Sequence, residues 1–313
     1  MDMAAQVGPL SLPNPVMTAS GTSGHGTELG AYLDLAALGA VVVKSLSARP
    51  WPGNPPPRLL PVVGGMMNSV GLQNPGLAAW ARHDLPALAR SGARVVVSVW
   101  GRSVEDFGEV GEQLGQLVVE GGPASCVVAV EANISCPNVE DGDKMFAHSE
   151  AAAAAALEAL VAGLGRAGLP VWAKLSPNVA NLRDIAGAVL AAGANGLTLV
   201  NTLMGLALDP ATGKARLGGG GGGISGPALH PVAVRAVYEC RRELPGAAII
   251  GVGGVTTGYD AAEMLAAGAD AVQVGTASFA DPRAPARVLA ELEAWCQGHG
   301  LASISELVGR AHD

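Results

Sequence analysis

The stretch LPVWAKLSPNVANLRDIAGAVLAAGANGLTLVNT, residues 169–202, decides the fold. Val171–Leu175 is an apolar run broken only by Lys174, too short for a helix and suited to a strand buried on both faces. Leu182–Ala192 has the composition of a helix and stops at Ala192-Gly193-Ala194, a glycine-containing C-terminal signal. A second apolar run, Leu197–Asn201, follows at once. Strand, helix and strand in so short a span is a parallel βαβ unit, because parallel neighbours need a crossover between them.

Working outward, the unit repeats. The other strands are expected at Val16–Ala19, Val41–Lys44, Val95–Val99, Val128–Asn133, Ile249–Val252 and Val272–Val274. Helices are expected at Glu28–Leu38, Ala151–Ala167 and Ala261–Ala267. Eight such repeats make a (β/α)8 TIM barrel, a fold that runs above about 250 residues as one domain, and this chain has 313 with no visible boundary. An open doubly wound sheet is the alternative; no GxGxxG opens the first helix, which counts against its dinucleotide-binding form.

Composition excludes several function classes. The chain is 49% hydrophobic and carries a net charge of −8, so it has no footprint for nucleic acid. The four cysteines, Cys126, Cys136, Cys240 and Cys296, form no CxxC pair and fit a reducing, cytoplasmic setting. The six histidines show no ligand spacing, so no metal is expected. Ile185–Leu208 lacks charge and is long enough to raise the question of a membrane span, but Gly193-Ala194-Asn195-Gly196 interrupts it. Helix, tight turn and buried strand explain it better, and no membrane association is expected.

Barrel chemistry gathers where strands end, and the ends here are polar or glycine-rich. They read Ala19-Ser20-Gly21, Lys44-Ser45, Asn133 through Asn138, Lys174-Leu175-Ser176, Asn201-Thr202, Gly253-Gly254 and Gly275-Thr276. Lysines closing two apolar strands are costly unless an anion meets them. Glycines after the last two strands let backbone N–H groups approach a phosphate. Cys136 lies just past a strand end and before a proline, where a thiol can act as base or nucleophile. The other cysteines read as small buried hydrophobes. Two connections, Ser45 to about Gly76 and Leu203–Gly226, are long enough to be functional. Asn68 reads on its own as a turn residue, and Gly218–Gly223 as flexible linker in a mobile loop.

These segments together resemble the class 1 dihydroorotate dehydrogenases over nearly the whole chain. The resemblance rests on NPVMTASGT (14–22), Val43-Lys44, Asn54-Pro55 with Pro57-Arg58, NSVGLQNPG (68–76) and NISCPNV (133–139). It continues in KLSPNV (174–179), VNT (200–202), ISGPA (224–228), GVGGV (251–255) and GTA (275–277). It implies oxidation of dihydroorotate to orotate with bound FMN, a step of pyrimidine synthesis, with Cys136 as the catalytic base. It implies that Lys44, Asn68, Gly71, Leu72, Asn133, Asn138, Asn201 and Thr202 meet the substrate. Ala19, Ser20, Gly21, Lys44, Ser45, Asn133, Lys174 and Val200 would line the flavin, and Ser225, Gly226, Gly253, Gly254, Gly275 and Thr276 its phosphate end. Class 2 members carry a serine as base instead. The sequence departs from the family at Ser45-Leu46-Ser47, at Asp143 and in the glycine run.

The segment Gly71–Gly76 resembles the B-type subgroup. That implies a homodimer core, possible assembly into a heterotetramer with a subunit carrying FAD and an iron–sulfur cluster, and electrons passed to NAD+ rather than fumarate. No cysteine cluster on this chain could ligate such a cluster. Rival readings are a flavoenzyme for another dihydropyrimidine such as dihydrouracil, a non-redox phosphate-binding barrel, and a scaffold subunit. The presence together of Lys44, Asn133, Cys136 and Lys174 argues against the last.

Overall fold

The structure, a computed structural model, describes residues 1–135 and 145–313. Eight parallel strands form its centre: β1 (Val16–Thr18), β2 (Val41–Val42), β3 (Val95–Val99), β4 (Val127–Asn133), β5 (Val171–Leu175), β6 (Gly196–Leu199), β7 (Ala248–Val252) and β8 (Ala271–Val274). They are hydrogen-bonded in the order β1-β8-β7-β6-β5-β4-β3-β2. The remaining seam, between β1 and β2, is bridged at Met17 and Ala40, and Gly39 N–H donates to Val16 O at 2.8 Å. The sheet is thus a nearly closed barrel with the expected (β/α)8 architecture.

The strands are apolar because both of their faces are buried, and the two faces do different work. One phase, Met17, Val42, Val96, Ala129, Trp172, Ile250 and Ala271, fills the base of the barrel interior. The other phase, including Val16, Val41, Val97, Val130, Ala173, Leu197, Ile249 and Val272, packs outward into the core shared with the helices. An N-terminal hairpin, Ala5–Val7 with Leu10–Leu12, adds Val7 and Leu12 to the inner cluster and plugs its lower end.

Most expected helices form: Glu150–Leu164, Leu182–Ala191 and Gly258–Ala266. The expected helix Glu28–Leu38 does not. Two 3-10 turns, Glu28–Ala31 and Leu35–Ala37, stand in its place. Asp34 explains the break, since its carboxylate accepts from Ala36 N–H at 3.0 Å and offers the backbone a local alternative to the helix. The uncharged run Ile185–Leu208 resolves into a helix end, a turn, β6 and the short strand Leu203–Gly205. No helix among the described residues is long and apolar enough to cross a membrane.

The two long connections meet above the C-terminal mouth. Leu59–Val62, Gly65–Asn68, Gly222–Ser225 and Leu203–Gly205 pair into one four-stranded antiparallel sheet. This corrects the expectation that Gly218–Gly223 is a flexible linker. Gly222 and Gly223 are strand residues, paired with Gly205 and with Asn68. A Cβ on Gly222 would lie 2.8 Å from Leu217 Cδ1 and press on the Asn68 carbonyl, and one on Gly223 would collide with the Thr202 side chain. The glycines are there so that two chains can approach.

Gly222→Ala therefore overpacks the sheet and should cost about 1–3 kcal/mol, seen as a lower Tm. A Tm equal to wild type would restore the linker interpretation.

Candidate active site

A cavity of about 370 Å³ opens at the C-terminal ends of the strands, under the antiparallel sheet. Strand ends supply its floor and walls: Ala19, Ser20 and Gly21 after β1, Lys44 and Ser45 after β2, Asn133 from β4, Lys174 from β5, Val200, Asn201 and Thr202 after β6, Gly253 and Gly254 after β7, and Gly275 and Thr276 after β8. The antiparallel sheet and its flanks supply Asn68, Gly71, Leu72, Ser225 and Gly226. Every described residue that the sequence singled out for the site thus lines one cavity. Cys136 and Asn138 lie outside the described residues.

One wall is a continuous chain of hydroxyls and amides. Ser45 Oγ is 2.9 Å from Ser98 Oγ and 3.3 Å from Ser20 Oγ. Asn133 Nδ2 donates to Ser45 Oγ at 3.1 Å, and the Ser135 hydroxyl donates to Asn133 Oδ1 at 3.1 Å. Ser45, where the family pattern is departed from, is the hub of this chain. Buried networks of this kind fix side-chain rotamers when their members are satisfied. Opposite, Asn68 is the last residue of strand Gly65–Asn68 rather than a turn residue, and its Nδ2 donates to Gly223 O at 3.3 Å. Asn178 ties the end of β6 in place, donating to Thr202 O at 2.9 Å and accepting from Met204 N–H at 2.8 Å.

Two cations face the cavity. Lys44 is half-buried in the cavity wall, and its field, second to burial, holds the His25 imidazole below its ordinary pKa. Lys174 is deeper, its side chain 6% exposed. Its Nζ lies 3.6 Å from Glu131 Oε1, and Glu131 Oε2 accepts from Gln273 Nε2 at 2.7 Å.

The far end of the cavity is built from backbone. Gly253 and Gly254 have φ of +136° and +67°, and a Cβ on Gly254 would lie 2.7 Å from His230 Cβ. His230 holds this turn through Nδ1, 2.9 Å from Gly253 O, while Nε2 lies 3.0 Å from Glu263. Thr276 Oγ1 donates to Ser225 Oγ at 2.8 Å, joining the end of β8 to the antiparallel sheet. Only glycine gives a ligand this close an approach to the main chain.

Residues missed from sequence are inward-facing polar ones: Ser98, Glu131, Thr198 and Gln273, all fully buried. Ser98, Thr198 and Gln273 are each the lone polar residue of an apolar strand, and Glu131 shares β4 only with Asn133; all four are in phase with the side chains that fill the barrel interior, and that phase was the available signal. Phe279 and Met204, exposed apolar residues at the mouth, had no comparable mark. Burial pushes the Cys126 and Cys296 thiols up and, with the nearby Glu239, takes Cys240 to about 12, so none of the three offers a thiolate. No group of three His, Cys, Asp or Glu side chains among the described residues could hold a metal ion.

The sequence model of the dihydroorotate dehydrogenase family matches residues 3–295. The chain belongs to the dihydroorotate dehydrogenase family. It is 47% identical to a protein of Desulforudis audaxviator across 99% of this chain and 97% of that one. It is 42% identical to one of Geobacter sulfurreducens across 98% and 97%, and 41% identical to one of Desulforamulus reducens across 100% and 99%. All three relatives bear the name dihydroorotate dehydrogenase B (NAD(+)), catalytic subunit. Membership makes the chain an oxidoreductase, and the dihydroorotate dehydrogenase barrel is the frame on which the cavity is built.

The buried ion pair yields a test independent of activity. Lys174→Met leaves the Glu131 charge buried without its cation and should destabilise the chain by about 3 kcal/mol. Adding Glu131→Gln should recover much of that loss, a coupling that a double-mutant cycle in denaturant measures. Additive losses would mean the two side chains do not interact.

Proposed function

We propose that this chain is the catalytic subunit of an NAD+-linked dihydroorotate dehydrogenase, binding FMN and oxidising dihydroorotate to orotate. The observation that carries the reading is the convergence of the resemblance-assigned residues on one cavity, in a chain 47% identical to a relative of that name.

The cavity suits a flavin mononucleotide. Its volume falls within the usual range of small-molecule sites, about 300–1,000 Å³. The Gly253-Gly254 turn, with Gly226, Gly275 and Thr276, forms a backbone cradle where an added Cβ at Gly254 would intrude, as a phosphate site requires. Ala19, Ser20, Gly21, Ser45 and Val200 would flank the ring, with Lys174 at the pyrimidine edge. When bound, the flavin supplies the two-electron chemistry by accepting the substrate hydride.

The chain's own residues do the rest. Asn68, Asn133, Asn138, Asn201 and Thr202 would hold the pyrimidine and its carboxylate by hydrogen bonds, with Gly71 and Leu72 closing over it. Leu72 has φ +61°, a left-handed conformation costly for a leucine and typical of a segment held for function. Lys44 adds a positive charge to the cavity wall that favours an anionic substrate. Cys136 would take the proton from C5, a role that a cation beside it would assist by favouring the thiolate. The sheet over the mouth limits water, which strengthens every electrostatic contact beneath it.

The names of the relatives support a B-type assembly. The partner would carry the FAD and the iron–sulfur cluster, the catalytic chains would pair as a homodimer core, and electrons would leave to NAD+.

The purified chain should be yellow, and anaerobic dihydroorotate should bleach its flavin spectrum. A colourless chain points to a non-redox phosphate-binding barrel, and a flavin that dihydroorotate leaves oxidised points to another dihydropyrimidine. Cys136→Ser should keep the flavin and slow its reduction by on the order of a hundredfold, the scale of a lost general base. Stopped-flow reduction at the wild-type rate would remove Cys136 from the role.

A further inference from the structure

Glu131 is the most deeply buried charged side chain of the barrel interior, 0% exposed, and it does not line the cavity. It stands on β4, one inward step below Asn133. Directly beneath it the interior is apolar: Val96, Ala129, Trp172 and Ile250. A carboxylate here costs several kcal/mol unless it is compensated. The compensation comes from above and across. Gln273 on β8 donates an amide N–H at 2.7 Å, and Lys174 on β5 brings its ammonium to 3.6 Å. The three side chains come from three strands, and no nearer structural demand calls for a charge at this level. Glu131 Oε1 accepts no hydrogen bond, so the ammonium of Lys174 faces it as an ion pair rather than a closed bond. Lys174 is the member of the set that reaches the cavity.

We infer that Glu131 is a positioning residue that anchors the ammonium of Lys174 and sets how much of its positive charge the cavity feels. The inference rests on the reading that the cavity holds a flavin. Lysine has four rotatable carbons and would otherwise be free to settle anywhere its charge is solvated. Glu131 pulls it toward the barrel axis, and Thr198 and Asn133 flank it in register on the neighbouring strands. The carboxylate also subtracts from the field of the cation. The ring edge therefore meets a partly neutralised charge, and two-electron reduction, which adds negative charge to the ring, is favoured less than it would be by a lone ammonium. Gln273, by holding the other carboxylate oxygen, spreads the charge of Glu131 and limits that subtraction.

The test is the midpoint potential of the flavin in the full-length chain, measured by equilibration with a reference dye. Glu131→Gln keeps the size and an oxygen for the Gln273 amide while removing the charge. A unit charge removed at several ångströms in a medium of effective dielectric about 20 is worth roughly tenfold or more. The reduction equilibrium should therefore move about tenfold toward reduced flavin, about 30 mV upward for a two-electron couple. Gln273→Met removes the donor to the carboxylate and should move the equilibrium the other way. A merely loosened barrel would shift both variants in one direction. An unchanged or lowered potential in Glu131→Gln overturns the inference while leaving the flavin reading intact. If that variant does not fold, a lowered potential in Gln273→Met supports the inference and an unmoved one overturns it. A wild-type chain without flavin overturns the underlying reading, and this inference with it.

Discussion

A strand in a closed parallel barrel has no solvent face. Each inward side chain must be apolar or find a partner inside, because an unpaired polar group there costs free energy that nothing recovers. The barrel meets this constraint by height. The lower interior is closed by Met17, Val42, Trp172 and Ile250, and the hairpin residues Val7 and Leu12 seal it from below. Polar inward residues begin only higher up, and Ser98, Glu131, Lys174 and Gln273 find partners there on other strands or reach the cavity. The location of the site is thus a consequence of where the barrel can tolerate polarity.

The second constraint concerns the roof. Two connections separated by more than a hundred residues must pair above the mouth without filling it. Paired backbones satisfy each other's N–H and C=O groups, which would otherwise be left half-buried under the loops. Side chains at the crossing would press on Asn68 and Leu217 and on Thr202, and the glycines at 222 and 223 remove that obstacle. The same pairing brings Asn68, from one connection, beside the Gly223 carbonyl of the other. Asn68 can face the cavity because the sheet forms.

Barrel strands were legible because each is a short apolar run, and the helices because their glycine stops are local. Strand-end residues follow from that placement, so Lys44, Asn133, Lys174 and the Gly253-Gly254 turn are legible in the sequence. The antiparallel sheet was not legible. Its pairing is long-range, and a glycine run has the same composition whether it is a linker or a close crossing. The break at Asp34 was hidden for a related reason: Glu28–Leu38 has helical composition, and a single side chain bonding to Ala36 N–H redirects it. Glu131 and Gln273 were overlooked because polar residues inside apolar strands pass as exceptions, until the inward phase shows that they share one interior.

The two lysines show why net charge says little about a site. The chain is acidic overall, yet its cavity presents Lys44 and Lys174 to whatever enters. Local fields in a low-dielectric cleft outweigh distant surface charges, which solvent and salt screen over about 8–10 Å. The lysines are nevertheless differently held. Lys44 is half-buried in the cavity wall, where its charge favours an anion that enters. Lys174 is tethered to a carboxylate on its own barrel wall and cannot follow a ligand outward. A cation that recruits must be reachable, and one that tunes must be immobile. The barrel supplies both by placing one lysine at the end of β2 and the other on β5, one inward step above its own buried counter-charge.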